Sequence, residues 1–254
     1  MSVLVTIADD IADVRLDRPD KLNALSIDTI RELAVTAHRL RRHAGLRAVV
    51  ISGNGRAFCA GMDLGAAARD PKGALLAFLP TWRGTNPFQE AVWAWRRLPV
   101  PVIAALHGPV FGAGLQLALG ADLRVTAPDA RWCVAETSRG LVPDMTGIRT
   151  LSQLVGIETA KRLTFTAEEF SGQQAVALGL AGAVSDTPLE DALVLARQIA
   201  ERRPEAVAAA KRLFDSRWSA GNLSTFAAER WAQSRLLPGA MASLRRLRGS
   251  RTAE

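Results

Sequence analysis

The sequence predicts an α/β fold with a layered core and a helical C-terminal region. Three observations lead there. Short apolar runs rich in β-branched residues recur through the first half and end in turn residues. Stretches with helical spacing lie between them, and the last third becomes Ala-rich with sharp helix start and stop signals. Alternation of strand and helix implies layers, because each element has an apolar face that another element must cover.

In chain order, LVTI (4–7) and VRL (14–16) read as two early strands. Ser26 can cap a helix in which Ile27, Ile30, Leu33, Ala34, Ala37 and Leu40 recur at helical spacing. AVVIS (48–52) is a buried strand running into the turn Gly53-Asn54-Gly55. VIAAL (102–106) and LRV (123–125) are further strands, with a helix over 115–119 between them. Residues 171–178 form a short helix stopped by Gly179. Thr187-Pro188-Leu189-Glu190 then combines a cap, Pro at the first helical position and Glu at the third. Helical sequence follows to 202, restarts after Pro204 and resumes over 223–236. The expected division is a core over 1–190 and a helical region over 191–254.

Composition removes several classes. With 254 residues and 48% hydrophobic content the chain is an ordinary globular protein. Cys59 and Cys133 make neither a disulfide framework nor a metal pair, and His38, His43 and His107 are poorly spaced as ligands. The net charge of +7 comes largely from terminal arginines (245, 246, 248 and 251) and from Arg39, Arg41 and Arg42 at a helix end, where positive charge suits the macrodipole. No nucleic-acid module accompanies that charge, so no nucleic-acid partner is expected. Residues 98–121 lack charge, but three prolines, four glycines and Gln116 mark them as interior rather than a membrane span. A start without a basic region argues against a signal peptide, so the chain is expected to be cytoplasmic.

Two glycine-containing turns, GRAFCAGMDL (55–64) and HGPVFGAGLQLALGADLR (107–124), each follow a buried strand. Small residues there let main chain approach a ligand. The second turn opens a helix, whose first N–H groups lack internal partners. Two such amides converging on one oxygen would form an oxyanion hole. Leu117 stands where a dinucleotide fingerprint needs its third glycine, and neither turn has a phosphate-loop or serine-hydrolase pattern. Farther on, Glu136 and Asp144 flank the turn at Gly140 and Pro143. Folded back, the pair would face one pocket, one acid raising the pKa of the other. On a plainer reading, Glu136 faces solvent and Asp144 caps a helix starting near Met145.

Together these segments resemble the enoyl-CoA hydratase/isomerase (crotonase) superfamily over nearly the whole chain. RPDKLNALS (18–26) is similar to its RPxxxNAL element, FCAGMDL to its AFxAGxDL signature, and GPVFGAGLQLALGADLR to its second signature. The resemblance implies stacked β-β-α turns with a helical C-terminal region, assembled as a homotrimer or dimer of trimers. It implies an acyl-CoA thioester substrate, with coenzyme A as part of that substrate and no separate cofactor or metal. By position, the amides of Ala60 and Ala113 would be the oxyanion donors. Lys21, Leu22, Ala24, Ala60, Gly61, Met62, Asp63, Leu64 and Gly112 would lie along coenzyme A.

The acids depart from the hydratase pattern. Glu136 aligns with one of the two hydratase glutamates, but the other falls on Gln116, which can orient water or substrate and cannot accept a proton usefully. Asp144 stands where dienoyl-CoA isomerases carry aspartate. A halobenzoyl-CoA dehalogenase branch shares that aspartate but has tryptophan at the Glu136 position. The expected enzyme therefore stabilises a thioester enolate on two amides and moves protons with Glu136 and Asp144, in an isomerase-like pattern. A hydratase using Asp144 in place of the missing glutamate is one alternative; a non-catalytic acyl-CoA-binding protein is another. Met145, Trp82, Trp93 and Trp95 are candidates to line an acyl pocket, under a loop expected over 70–88.

Overall fold

A computed structural model describes residues 1–69, 71–81, 84–217 and 220–251. A six-stranded sheet forms its centre, in the order β1-β2-β3-β4-β6-β9. The first two strands, β1 (Val3–Ala8) and β2 (Ile11–Leu16), pair antiparallel across the tight turn at Asp9 and Asp10. Helix α1 (Ile27–Leu40) follows, and the Ser26 side chain accepts the Thr29 amide at 3.2 Å. Such a cap contributes about 1 kcal/mol. Strand β3 (Ala48–Gly53) is parallel to β2.

The chain then passes through α2 (Leu64–Arg69), α3 (Pro71–Leu76) and α4 (Pro87–Arg96), the last opened by a capping box between Asn86 and Gln89. Strand β4 (Val102–Leu106) returns to the sheet, β5 (Pro109–Phe111) starts a second one, and α5 (Ala113–Gly120) packs against α4. The same large-sheet, small-sheet alternation recurs in β6 (Leu123–Thr126) and β7 (Arg131–Cys133). Next come α6 (Gly147–Leu154), α7 (Ile157–Thr166), β8 (Glu169–Ser171), α8 (Gly172–Ala177), β9 (Ala183–Val184) and α9 (Pro188–Ala200). The small sheet has the order β5-β7-β8.

The unbroken apolar run of β3 has a direct cause. Val49 and Ile51 face a core built with α1, α4 and α5, whereas Ala48 and Val50 face Ala192 and Ala196 of α9. Side chains alternate along a strand, so a strand covered on both faces must be apolar throughout. Burying one such Val or Ile is worth about 1.5–3 kcal/mol, which outweighs the weak intrinsic preferences of the short helices around it.

Because α9 covers the sheet, the compact unit extends through Ala200 rather than ending at 190. Residues 201–254 form a second unit of two helices, α10 (Pro204–Arg217) and α11 (Asn222–Arg251), packed on each other. Residues 98–121 are β4, β5 and α5, and no described helix is long and apolar enough to cross a membrane.

Candidate active site

A cavity of about 340 Å³ opens between the two glycine bends and the segment that carries the acids. Ala60, Gly61, Met62, Gly112, Ala113, Gln116, Glu136 and Asp144 all border it. The bends are held by main-chain bonds to neighbouring strands and to each other. The Cys59 amide donates to the Pro109 carbonyl at 3.0 Å, and the Phe111 amide to the Cys59 carbonyl at 3.0 Å. Gly61 has φ +100, and a Cβ there would lie 3.1 Å from the Phe111 carbonyl oxygen and 3.9 Å from the Ala113 nitrogen. The two turns therefore touch where main chain is most exposed to a ligand.

The expected donor pair needs one correction. The Ala60 amide donates to the Leu22 carbonyl at 2.9 Å and is not available to a substrate. Two residues on, the parallel bridge between Leu25 and Met62 turns the chain the other way. Leu25 donates to the Gly61 carbonyl at 2.8 Å, and Asp63 donates to the Leu25 carbonyl at 2.9 Å. In such a bridge the flanking groups pair and the central amide faces away. The Met62 amide accordingly has no acceptor among the described residues, and Met62 borders the cavity. Ala113, the first residue of α5, likewise has an amide without an acceptor among them. Met62 and Ala113 are thus the candidate donors, one from each bend. Counting from the glycine signature alone gave the wrong member, because only the pairing partner decides which way an amide points.

Glu136 is 8% exposed, and its Oε1 accepts the Gln116 side-chain amide at 2.6 Å. Its Oε2 is buried without a hydrogen-bond partner among the described residues. Gln116 cannot turn its amide around, because its Oε1 accepts the Met145 amide at 2.8 Å and the Gly147 amide at 2.9 Å. Both lone pairs are taken, so the NH2 group must face Glu136. Gln116, expected to orient water or substrate, also ties Glu136 to the segment bearing Asp144.

Burial raises the Glu136 carboxyl above the usual range, and the charge of Asp144 raises it further, against the opposing Gln116 bond. Burial also raises Asp144. Glu136 is therefore not the solvent-facing residue of the plainer reading. Asp144 does not cap α6 either, since that helix begins after Thr146 without a side-chain cap.

The segments expected along coenzyme A are divided. Gly61, Met62, Leu64 and Gly112 border the cavity, whereas Lys21, Leu22, Ala24 and Asp63 do not. Leu22 and Asn23 hold left-handed backbone, φ 48 and 56. Asn23 fixes this turn: it accepts the Arg18 amide at 2.8 Å and donates to the carbonyls of Asn54 and Ala57 at 2.9 and 2.8 Å. Asp63 accepts the Ala66 amide and pairs with Arg18, both at 2.9 Å, and those partners hold its carboxyl below the usual range. Leu25 joins this turn to Met62, so the Asn of the early element positions a candidate donor indirectly.

Of the candidates for the acyl pocket, Met145 borders the cavity, Trp95 is fully buried in the core and Trp93 lies elsewhere. Trp82 lies outside the described residues. The cavity is lined instead by Phe78 and Phe88, whose ring centres are 4.9 Å apart, and by Phe111, Leu141, Val142 and Arg139. Phe78 and Phe88 fall in the stretch over 70–88 expected to be a loop over the pocket, although α3 and the start of α4 lie within it; the sequence marked the segments of the others without marking these side chains. Both cysteines are free and buried, and burial pushes Cys59 up to about 12.

Residues 6–238 match the family Enoyl-CoA hydratase/isomerase. A Mycobacterium bovis protein named Probable enoyl-CoA hydratase is 37% identical over 213 residues, covering 83% of this chain and 81% of its own. The human mitochondrial Delta(3,5)-Delta(2,4)-dienoyl-CoA isomerase is 36% identical over 207 residues, covering 78% of this chain and 63% of its own. A Thermobifida fusca structure in complex with acetoacetyl-CoA superposes with a TM-score of 0.83 at 30% identity, covering 94% of this chain and 95% of the other.

Proposed function

The chain belongs to the enoyl-CoA hydratase/isomerase family, and from that premise we propose that it isomerises an unsaturated acyl-CoA through a thioester enolate held by the amides of Met62 and Ala113. The observation that carries this reading is the arrangement around Gln116. Its oxygen is taken by the Met145 and Gly147 amides and its NH2 group faces Glu136, and an amide does not exchange protons as an acid or base, which leaves Glu136 and Asp144 as the carboxyls able to do so on the cavity.

In the first step Glu136 Oε2 takes a proton from a carbon conjugated to the thioester. The C–H electron pair moves into the carbon framework, and negative charge appears on the thioester oxygen. Two preorganised amides meet that charge, and losing one such donor elsewhere costs about 3–4 kcal/mol. In the second step Asp144, protonated at the outset, delivers its proton to a different carbon, and the electrons return from oxygen to form the shifted double bond. Burial raises both carboxyls, so the pair can hold one proton between them, which is the state the two steps require. Glu136 and Asp144 then exchange protons with solvent.

The human isomerase relative and the acetoacetyl-CoA complex of the Thermobifida protein support the substrate class. The test is product analysis in D2O with 2-enoyl- and dienoyl-CoAs. Isomerisation gives a shifted double bond with deuterium on carbon and no added oxygen. A 3-hydroxyacyl product would replace this reading with hydration across Glu136 and Asp144. Tight binding without any product would replace it with a binding role.

A further inference from the structure

We propose that Arg139 is a specificity-determining residue that selects acyl chains ending in a carboxylate; the proposal rests on the acyl-CoA reading above. Arg139 closes a one-turn 3-10 helix, Thr137–Arg139, capped by Glu136, and its amide donates to the Glu136 carbonyl at 3.0 Å. In a 3-10 turn side chains at i and i+3 eclipse one another. Glu136 and Arg139 therefore rise on the same side, and both border the cavity. Glu136 is buried and Arg139 exposed, so the pair marks the inner wall and the rim of one channel.

The charge balance makes the rim selective. Arg18, Arg97, Arg131 and Arg162 each have a carboxylate partner. Arg139 forms no ion pair or side-chain hydrogen bond among the described residues, not even with Glu136 or Asp144 nearby. Beside it stand Leu141 and Val142, 53% and 66% exposed, and Phe78, 53% exposed. An alkyl chain would cross these apolar side chains before reaching the guanidinium. A carboxylate at its far end would be repelled by the Glu136 carboxylate inside and attracted at the rim, where an arginine fork donates to both oxygens. Arg139 also belongs to the acid-bearing segment, not to the segments at 21–24 and 60–64 that the resemblance assigns to coenzyme A.

The experiment compares matched 2-enoyl-CoAs, one ending in methyl and the other in carboxylate, by kcat/KM. It also measures binding of the saturated analogues by calorimetry. The wild-type chain should favour the carboxylate member. Arg139→Ala should lower its kcat/KM about tenfold, mainly through KM, as expected for a partly solvated charged hydrogen bond, and leave the methyl member unchanged. Arg139→Lys should restore part of the loss. Equal losses on both members would place the cation on a coenzyme A phosphate and overturn the proposal. So would binding and turnover that ignore the end group. If the wild-type chain neither binds nor turns over any of these thioesters, the acyl-CoA reading fails first, and the proposal with it.

Discussion

Two regions meet at the cavity, the glycine bends and the segment from Glu136 to Gly147, and different bonds hold them. The bends are stitched by main chain: Cys59 to Pro109, Phe111 to Cys59, Gly112 to Cys133, Asp63 to Leu25. These bonds continue the ladders of β5, β7 and the early turn, so the Met62 and Ala113 amides are placed whatever side chains sit there. Ala113 illustrates the point, since an alanine supplies the same N–H as a glycine. The acid-bearing segment has no strand partner over its length, and Gln116 joins its two halves through side-chain bonds. Charge placed by main chain tolerates substitution; charge placed by one glutamine does not.

The largest test of that contrast is Glu136→Gln. The substitution keeps size and an acceptor for Gln116 but removes the base, so kcat should fall about a thousandfold with KM little changed. Stability should move the other way. A carboxyl whose pKa is raised on folding contributes stability that is fully present below the unfolded value and lost as pH rises through the folded one. The variant escapes that loss, so its melting temperature should match wild type in acid and exceed it above the raised Glu136 pKa. Retained turnover would remove Glu136 from the reaction.

Asp144→Asn should lower kcat about a hundredfold, as expected for loss of a proton donor. It should also change the pH profile in a definite way. The active form carries a proton on Asp144 and none on Glu136, so wild type should lose activity on the alkaline side as Asp144 ionises. The variant has no proton to lose there, so that limb should vanish. The acid limb, where Glu136 ionises, should stay above that of an exposed glutamate, because burial is the largest cause of its rise. An alkaline limb that persists would mean that Asp144 is not the donor.

How much of this was legible in sequence follows the same division. The strands at 48–52 and 102–106, the α1 cap at Ser26 and the start of α9 at Pro188 all carry local signals, and each lies where those signals place it. The short strands β5, β7, β8 and β9 span two or three residues, too few to show alternation. At the cavity, the glycine bends announced themselves through composition. The Met62 amide did not, because its direction depends on a bridge to Leu25, thirty-seven positions away. Gln116 looked like a substitution for an acid; its three bonds emerge only when residues 136, 145 and 147 are brought to it.

On the bend side, Gly114→Ala probes the main-chain construction. A Cβ there would lie 2.5 Å from the Cys59 carbonyl oxygen and 2.6 Å from the Cys59 Cβ. Neither neighbour can yield without shifting strand and helix apart, so overpacking should cost about 2 kcal/mol. The shift would move Ala113 relative to Met62, and kcat should fall about tenfold while the acid limb of the pH profile stays in place. A moved limb would show that the bends and the acids are not independent.

The smallest expected effect tests the joint between the two regions. Thr146 sits between Met145 and Gly147, the residues whose amides converge on Gln116, and holds φ 72. Left-handed backbone is costly for a β-branched residue, about 1–2 kcal/mol. Its Oγ1 is also buried without a hydrogen-bond partner among the described residues. Two amides flanking one residue can reach one oxygen only if the chain turns sharply there, so the strain accompanies the grip on Gln116. Thr146→Gly removes the strain and the orphaned hydroxyl and adds about 0.5–1 kcal/mol of chain entropy to the unfolded state. The net expectation is a gain of about 1 kcal/mol in chemical denaturation, with kcat unchanged. A lower stability would mean that packing of the threonine methyl, rather than the Gln116 bonds, shapes the turn. Slower turnover at higher stability would mean that the strained turn itself sets the position of Asp144.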